Sequence, residues 1–281
     1  MERRSVDVAG GRVDAVVAGS GPLTVVFVSG LALPLEAWDA VVPPIARRVR
    51  TVRYDRRRAA PTGAVPARTA AAMAVELRQL LDALAVGPPY VLVGHSWGGV
   101  IARVFAHAHP TEVAGLVLVD ATHEVVDSPA FALLPAMYLL MGVASRVKAG
   151  RRWLLRQLCP PGSPATLRTL TEQRLGDPAQ WRISIRTARS EGAGIRPSLA
   201  ALRRDCAELP PIPIHVLTAG GVSGPNVKSV RRVHEAWKAA VVRAANAKYT
   251  NVSASGHYMT IDAPESVINA VIGVLDAAAQ Q

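Results

Sequence analysis

Chemistry is densest in the run Tyr90-Val91-Leu92-Val93-Gly94-His95-Ser96-Trp97-Gly98-Gly99. A serine stands two residues after one glycine and two before another. A hydroxyl is a weak nucleophile until a base takes its proton, so such a serine asks for a histidine within reach and a third group to orient it. The residues before Ser96 read as a buried strand and those after it as a helix. In that context G-x-S-x-G sets the serine on a strained strand-to-helix turn. Its hydroxyl then projects above a sheet, and the backbone N–H of Trp97 points at a developing oxyanion. A glycine-rich packing or phosphate turn is the other use of such a segment. Sulfur chemistry is scarce by comparison. Cys159 and Cys206 are the two cysteines and lie far apart, so no C-x-x-C zinc or redox motif exists and no disulfide framework is expected.

The elements around this run alternate. Val6, Val8, Val13, Ala15 and Val17 keep a two-residue period across Gly10-Gly11, which predicts a hairpin. Thr24 to Val28 is a short β-branched run, as in a strand covered on both faces. A helix is expected over 36–48, a strand over 50–54 and a helix over 68–85, where Met73, Leu77, Leu80, Leu81 and Leu84 share one face. Strand 90–93, helix 98–108 and strand 115–119 follow. Alternating buried strands and helices imply a parallel sheet covered on both sides. Residues 123–208 lose the rhythm and read as helices broken at 160–164, 176–178 and 192–197. It returns with strand 212–218, helix 226–243, strand 248–253 and helix 264–279.

Four stretches in these positions resemble the α/β-hydrolase fold family, in its serine-nucleophile, esterase- or lipase-like branch. They are Gly30-Leu31, Tyr54-Asp55-Arg56, Gly94 to Gly99, and Ser255-Gly256-His257. The resemblance implies a mostly parallel eight-stranded sheet with helices on both faces. With the loss of rhythm read as a helical cap, 123–208, inserted after the strand ending at Asp120, the resemblance covers nearly all of a core of residues 1–122 and 209–281. It makes the Leu31 N–H the second oxyanion donor, because the Ser29-Gly30 that replaces the family's common His-Gly leaves a main-chain donor in place. Asp55 becomes a structural residue tied to its neighbouring arginine. No metal or organic cofactor is implied. Dehalogenases and epoxide hydrolases of this fold use an aspartate at the elbow, so Ser96 points away from them.

Seven histidines compete for the role of base: His95, His107, His109, His123, His215, His234 and His257. His257 follows the last predicted strand and precedes Pro264 and a helix. That loop lies at the C-terminal edge of the sheet, where the resemblance also puts the base. His95 should point into the fold, His215 lies within a strand, and His107 and His109 end the elbow helix. The acid is less plain. Relatives mostly carry it after the strand that is 212–218 here, yet between Pro210 and His257 the only carboxylate is Glu235, deep in a helix. Some relatives carry it at the end of the strand after the elbow helix, which is Asp120. A carboxylate at that edge is costly unless paired, and an imidazolium is a suitable partner. Capping of the next segment by Asp120 is the other reading. Glu124, Asp127 and Glu235 are lesser candidates.

The composition frames the partners. The 281 residues are 50% apolar, enough for a sizeable core, and carry a net charge of +11. The basic residues are 28 arginines and only 4 lysines, a skew that codon bias produces by itself, so a solvated basic surface is preferred over nucleic-acid binding. No secretory h-region and no uninterrupted apolar span appears, which leads to the expectation of a soluble, cytoplasmic protein. Segment 129–143 is apolar enough to floor an acyl pocket or to be a cap helix's buried face. Arg146, Lys148, Arg151, Arg152 and Arg156 follow at once, a pattern compatible with an anionic membrane surface, an anionic substrate or plain solvation. The leading expectation is a serine hydrolase of carboxylic esters with a small acyl substrate, partly apolar. Acyl transfer, thioester cleavage, cyclisation or amide cleavage would use the same residues, and a non-catalytic ligand binder on this fold is the alternative of a different class.

Overall fold

The computed structural model describes residues 1–60, 62–126, 130–159, 162–221 and 227–280. Strands β1 (Glu2–Val8) and β2 (Gly11–Ala18) form the expected hairpin, turning at Gly10, whose φ of 85° suits glycine. β3 (Thr24–Val28) follows, then a 3-10 turn (Leu35–Trp38) and helix α1 (Val42–Ala46). One helix was expected over 36–48. Two short pieces form because Pro43 and Pro44 lack the N–H groups that would continue a ladder, although they fit the first turn of a new helix. β4 (Arg50–Asp55), α2 (Ala70–Ala83), β5 (Tyr90–His95), α3 (Trp97–Ala108) and β6 (Val113–Val119) complete the first half.

Four helices then separate β6 from the next strand: α4 (Ala130–Ala144), α5 (Lys148–Leu158), α6 (Ala165–Gly176) and α7 (Pro178–Asp205). The chain returns through β7 (Ile214–Ala219), α8 (Val227–Arg243), β8 (Ala247–Val252), α9 (Met259–Asp262) and α10 (Pro264–Ala278). The break expected at 192–197 does not occur, since α7 runs straight through it. Gly194 is needed there for contact, not for a turn: a Cβ would fall 1.8 Å from the carbonyl oxygen of Arg68. Pro197 sits in the same helix, between buried Ile195, Ser198 and Leu199.

The eight strands form one sheet in the order β1-β2-β4-β3-β5-β6-β7-β8. β1 and β2 pair antiparallel, as do β2 and β4, and every later pairing is parallel. The two-residue period of the strands sorts the core. Val26, Leu92, Leu116 and Val216 pack under α2, α3 and α8 with Leu77, Val100 and Trp237. Val25, Val93, Val117 and Leu217 face α1 and α10 with Trp38, Ile45 and Val271. The helical excursion keeps a small core of its own around Met141, Leu154, Leu175, Trp181 and Ile185.

Buried arginines join excursion to sheet. Arg103 of α3 donates to both carboxylate oxygens of Glu124, where the excursion leaves, and to the carbonyl of Cys206, where it returns. Arg56, past the end of β4, donates from Nε and Nη2 to Glu191 of α7 at 2.9 and 2.8 Å. Such pairs are worth little as net stability, but losing one partner strands a buried charge.

Candidate active site

Ser96 is where β5 becomes α3. Its φ of 52° and ψ of −118° form a strained turn that few L-residues adopt. The turn is held from outside: the Ser96 N–H donates to the Val119 carbonyl at 3.0 Å, and the Ser96 carbonyl accepts from Thr122 at 3.1 Å. Glycine is required close by, because a Cβ on Gly98 would lie 2.0 Å from the Val28 carbonyl oxygen. The spacing of small residues around the serine is therefore steric.

His257 comes from the loop after β8. Its Nε2 lies 3.1 Å from Ser96 Oγ, and its Nδ1 lies 2.6 Å from Asp120 Oδ2. Asp120 follows β6 at a positive φ of 42°, with its N–H donating to the Leu217 carbonyl. Its other oxygen accepts the Ala219 N–H at 3.0 Å, so the carboxylate bridges a neighbouring strand end and the imidazole. Among the described residues it caps none of the segment that follows. Burial alone would raise the Asp120 pKa. The hydrogen bond from His257, that ring's charge and the Ala219 amide outweigh it and hold the group below the usual carboxylate value. Ser96, His257 and Asp120, which follow β5, β8 and β6, thus stand in hydrogen-bonding order. His257 is half exposed, so the site opens to solvent on that side.

The other sequence candidates lie elsewhere. Glu124 is consumed by Arg103, and Glu235 is exposed and pairs with Lys238. Asp127 lies outside the described residues. Asp55 accepts from the Leu35 N–H and keeps Arg58 at 3.9 Å, which fits a structural part, but its neighbour Arg56 turns to Glu191 instead of to Asp55. Leu31 and Trp97 line the same cavity as Ser96 and His257, with Phe131, Leu134 and Ile195 of the excursion as its apolar wall. The cavity holds about 250 Å³.

Several supporting contacts escaped the sequence reading. His95 is fully buried behind the serine, and its Nε2 meets the His257 carbonyl at 2.8 Å. A carbonyl only accepts, so Nε2 carries the hydrogen there. Burial and the nearby His257 push the His95 pKa down to about 3, which keeps the ring neutral. Asp262 accepts from Ser255 Oγ at 2.6 Å and from the Gly256 N–H at 3.0 Å, fixing the two residues before His257. Arg56 donates to the carbonyls of Ser29 and Gly30 at 2.5 and 2.7 Å. In a trans peptide C=O and N–H point opposite ways, so holding the Gly30 carbonyl also aims the Leu31 N–H. The short separations near His257 could have signalled Asp262. Nothing local could have signalled Glu191, 135 residues from Arg56.

Comparison with known proteins agrees with this architecture. An epoxide hydrolase, CorEH, superposes with a TM-score of 0.73 at 21% identity, covering 98% of both chains. A thermophilic esterase from Thermogutta terrifontis superposes at 0.70 with 20% identity, covering 99% of both. At such identities the likeness is one of fold. In sequence, an uncharacterized Bacillus subtilis protein, YqjL, is 34% identical over 118 residues, 42% of this chain and 46% of that protein. A fluoroacetate dehalogenase from a Burkholderia species is 34% identical over 126 residues, 43% of this chain and 41% of the enzyme. The match thus spans less than half the length of these curated relatives. Residues 24–170, just over half of the chain, match the family model described as alpha/beta hydrolase fold, and the chain belongs to that family.

Proposed function

We propose that the protein is a serine hydrolase of carboxylic esters, with Ser96 as nucleophile, His257 as base and Asp120 as the acid that orients it. One observation carries the reading: Ser96 Oγ, His257 Nε2 and Nδ1, and Asp120 Oδ2 follow one another at 3.1 and 2.6 Å. His257 takes the hydroxyl proton as Oγ attacks the acyl carbon. The N–H groups of Leu31 and Trp97 receive the oxyanion, a contribution of about 10²–10³ in rate for a single such donor. The imidazolium, stabilised by Asp120, then protonates the departing alkoxide. Water repeats the sequence on the acyl-enzyme. His95, Asp262 and Arg56 act behind these groups by fixing the loops that carry the base and the Leu31 donor.

Helices α4 to α7 act as a cap within residues 123–208, set into a core of residues 1–122 and 209–281. The apolar wall of Phe131, Leu134 and Ile195 suits a substrate with an apolar acyl or alkyl part. Labelling with a fluorophosphonate tests the nucleophile: the intact protein should be labelled and Ser96→Ala should not. A series of p-nitrophenyl esters of graded chain length then reads the pocket. Absence of labelling together with absence of ester turnover would leave a ligand binder instead.

A further inference from the structure

Helix α4 is apolar on both of its sides. Phe131 and Leu134 line the cavity beside Ser96, and Met141 joins the small core of the excursion. The opposite side faces solvent and is apolar too. Leu133 is 67% exposed and Leu140 69%, with Met137, Leu139 and Val143 also exposed along the same helix. A solvent-facing helix side is ordinarily polar, and a contiguous apolar patch marks a docking surface.

Past α4 the surface becomes cationic. Arg146, Lys148, Arg152 and Arg156 are exposed, set among exposed Val147 and Trp153. From residue 128 to residue 171 the sequence has six basic residues and no aspartate or glutamate. That charge selects the occupant. A second copy of this chain would oppose basic α5 to basic α5. An anionic bilayer offers acyl chains to the leucines and phosphates to the arginines. Trp153, between them, is the residue type that favours the water–lipid boundary.

We propose that the α4–α5 face docks on an anionic lipid surface. The leucine stripe enters the headgroup boundary, and the long stems of Arg152 and Arg156 reach back to the phosphates. The helix that walls the cavity then lies against the bilayer. The inference is independent of the chemistry at Ser96.

Co-sedimentation with vesicles tests it. Phosphatidylcholine vesicles are compared with vesicles containing phosphatidylglycerol, at low salt and at about 1 M salt, where the screening length falls to about 3 Å. The full chain should sediment with the anionic vesicles only, and high salt should release much of it. Trp153 supplies a second readout, since the other four tryptophans are buried. Its emission should shift to the blue on binding, and Trp153→Phe should remove the shift. Leu133→Ser/Leu140→Ser and Arg152→Glu/Arg156→Glu should each weaken binding at least about tenfold, as several-fold contributions per surface cation imply, with fluorophosphonate labelling preserved. Equal binding to neutral and anionic vesicles, or no binding, would overturn the proposal. So would self-association of the intact chain that Leu133→Ser/Leu140→Ser abolishes without any lipid dependence, which would assign the face to a second copy.

Discussion

The C-terminal rim of the sheet and the helical excursion α4–α7, proposed above as a cap, solve the same problem of placing side chains by different means. At the rim, position is set by backbone. Ser96 and Asp120 sit at positive φ, each anchored by a main-chain hydrogen bond to the neighbouring strand. In the cap, position is set by a few long-range side-chain contacts, above all Arg56 with Glu191, and by the close seat of Gly194 on Arg68. The rim uses local geometry that cannot slip by small amounts. The cap is a body clamped at points, with much of its surface apolar or basic.

Substitutions at the rim should cost the most. Asp120→Asn keeps the shape but loses the charge and the correct tautomer of His257, and kcat should fall by about 10³–10⁴. Glu235→Gln, on the exposed side of α8, should leave turnover near normal. Similar activities of the two variants would remove Asp120 from the site. In the cap, Glu191→Ala leaves the buried Arg56 guanidinium with one partner fewer, and urea unfolding should register a loss of about 3–5 kcal/mol. Because Arg56 also holds the Gly30 carbonyl, the folded remainder should lose kcat more than it gains KM. A change confined to stability would separate the clamp from the Leu31 donor.

Smaller effects test how independent the two regions are. Gly194→Ala drives a Cβ into the Arg68 carbonyl and should cost about 1–3 kcal/mol. Kinetics on longer esters should change while fluorophosphonate labelling of Ser96 persists; loss of labelling would mean the roof and the rim are one unit. The gentlest test is pH. Burial holds His95 at about 3 and His123 at about 4, against an ordinary 6.5. Below pH 6.5 the unfolded chain takes up protons that these folded sites refuse. Stability is therefore full above that pH and falls as the solution is acidified, by up to about 1.4 kcal/mol per pH unit for each ring, until the folded values are reached. Denaturant midpoints of His123→Asn should show a shallower acid slope than the intact chain. An unchanged slope would mean that the ring is already protonated in the folded protein.

The same contrast explains what could be read from the chain. The elbow was legible because steric demand writes itself as spacing: Gly94, Gly98 and Gly99 are small where Val28 and Ala121 press in. The pairing of Asp120 with His257 was reachable because Glu235 is the only carboxylate between Pro210 and His257. The cap was legible only as helices. Gly192, Gly194 and Pro197 read as a break, since glycine and proline usually end helices, yet Gly194 serves a contact with residue 68 that no periodicity records. The ion pair of Arg56 with Glu191 spans 135 positions and that of Arg103 with Glu124 spans 21, so neither pair falls on a helical or strand period. His95 was placed inward by its position, but its hold on the His257 carbonyl depends on a loop 162 residues away.

Arg103 has a consequence for how such a molecule can diversify. One guanidinium, on the helix that begins just after Ser96, grips both the exit and the return of the excursion, at Glu124 and at Cys206. The two ends of the excursion are thereby a fixed pair of sockets. Closing a loop across fixed sockets costs only about 0.6 kcal/mol more for each doubling of its length. The stretch between them is thus a replaceable cassette: it can be shortened, lengthened or exchanged for another at little thermodynamic expense to the sheet, provided the residue that closes the clasp and a carboxylate for buried Arg56 are kept.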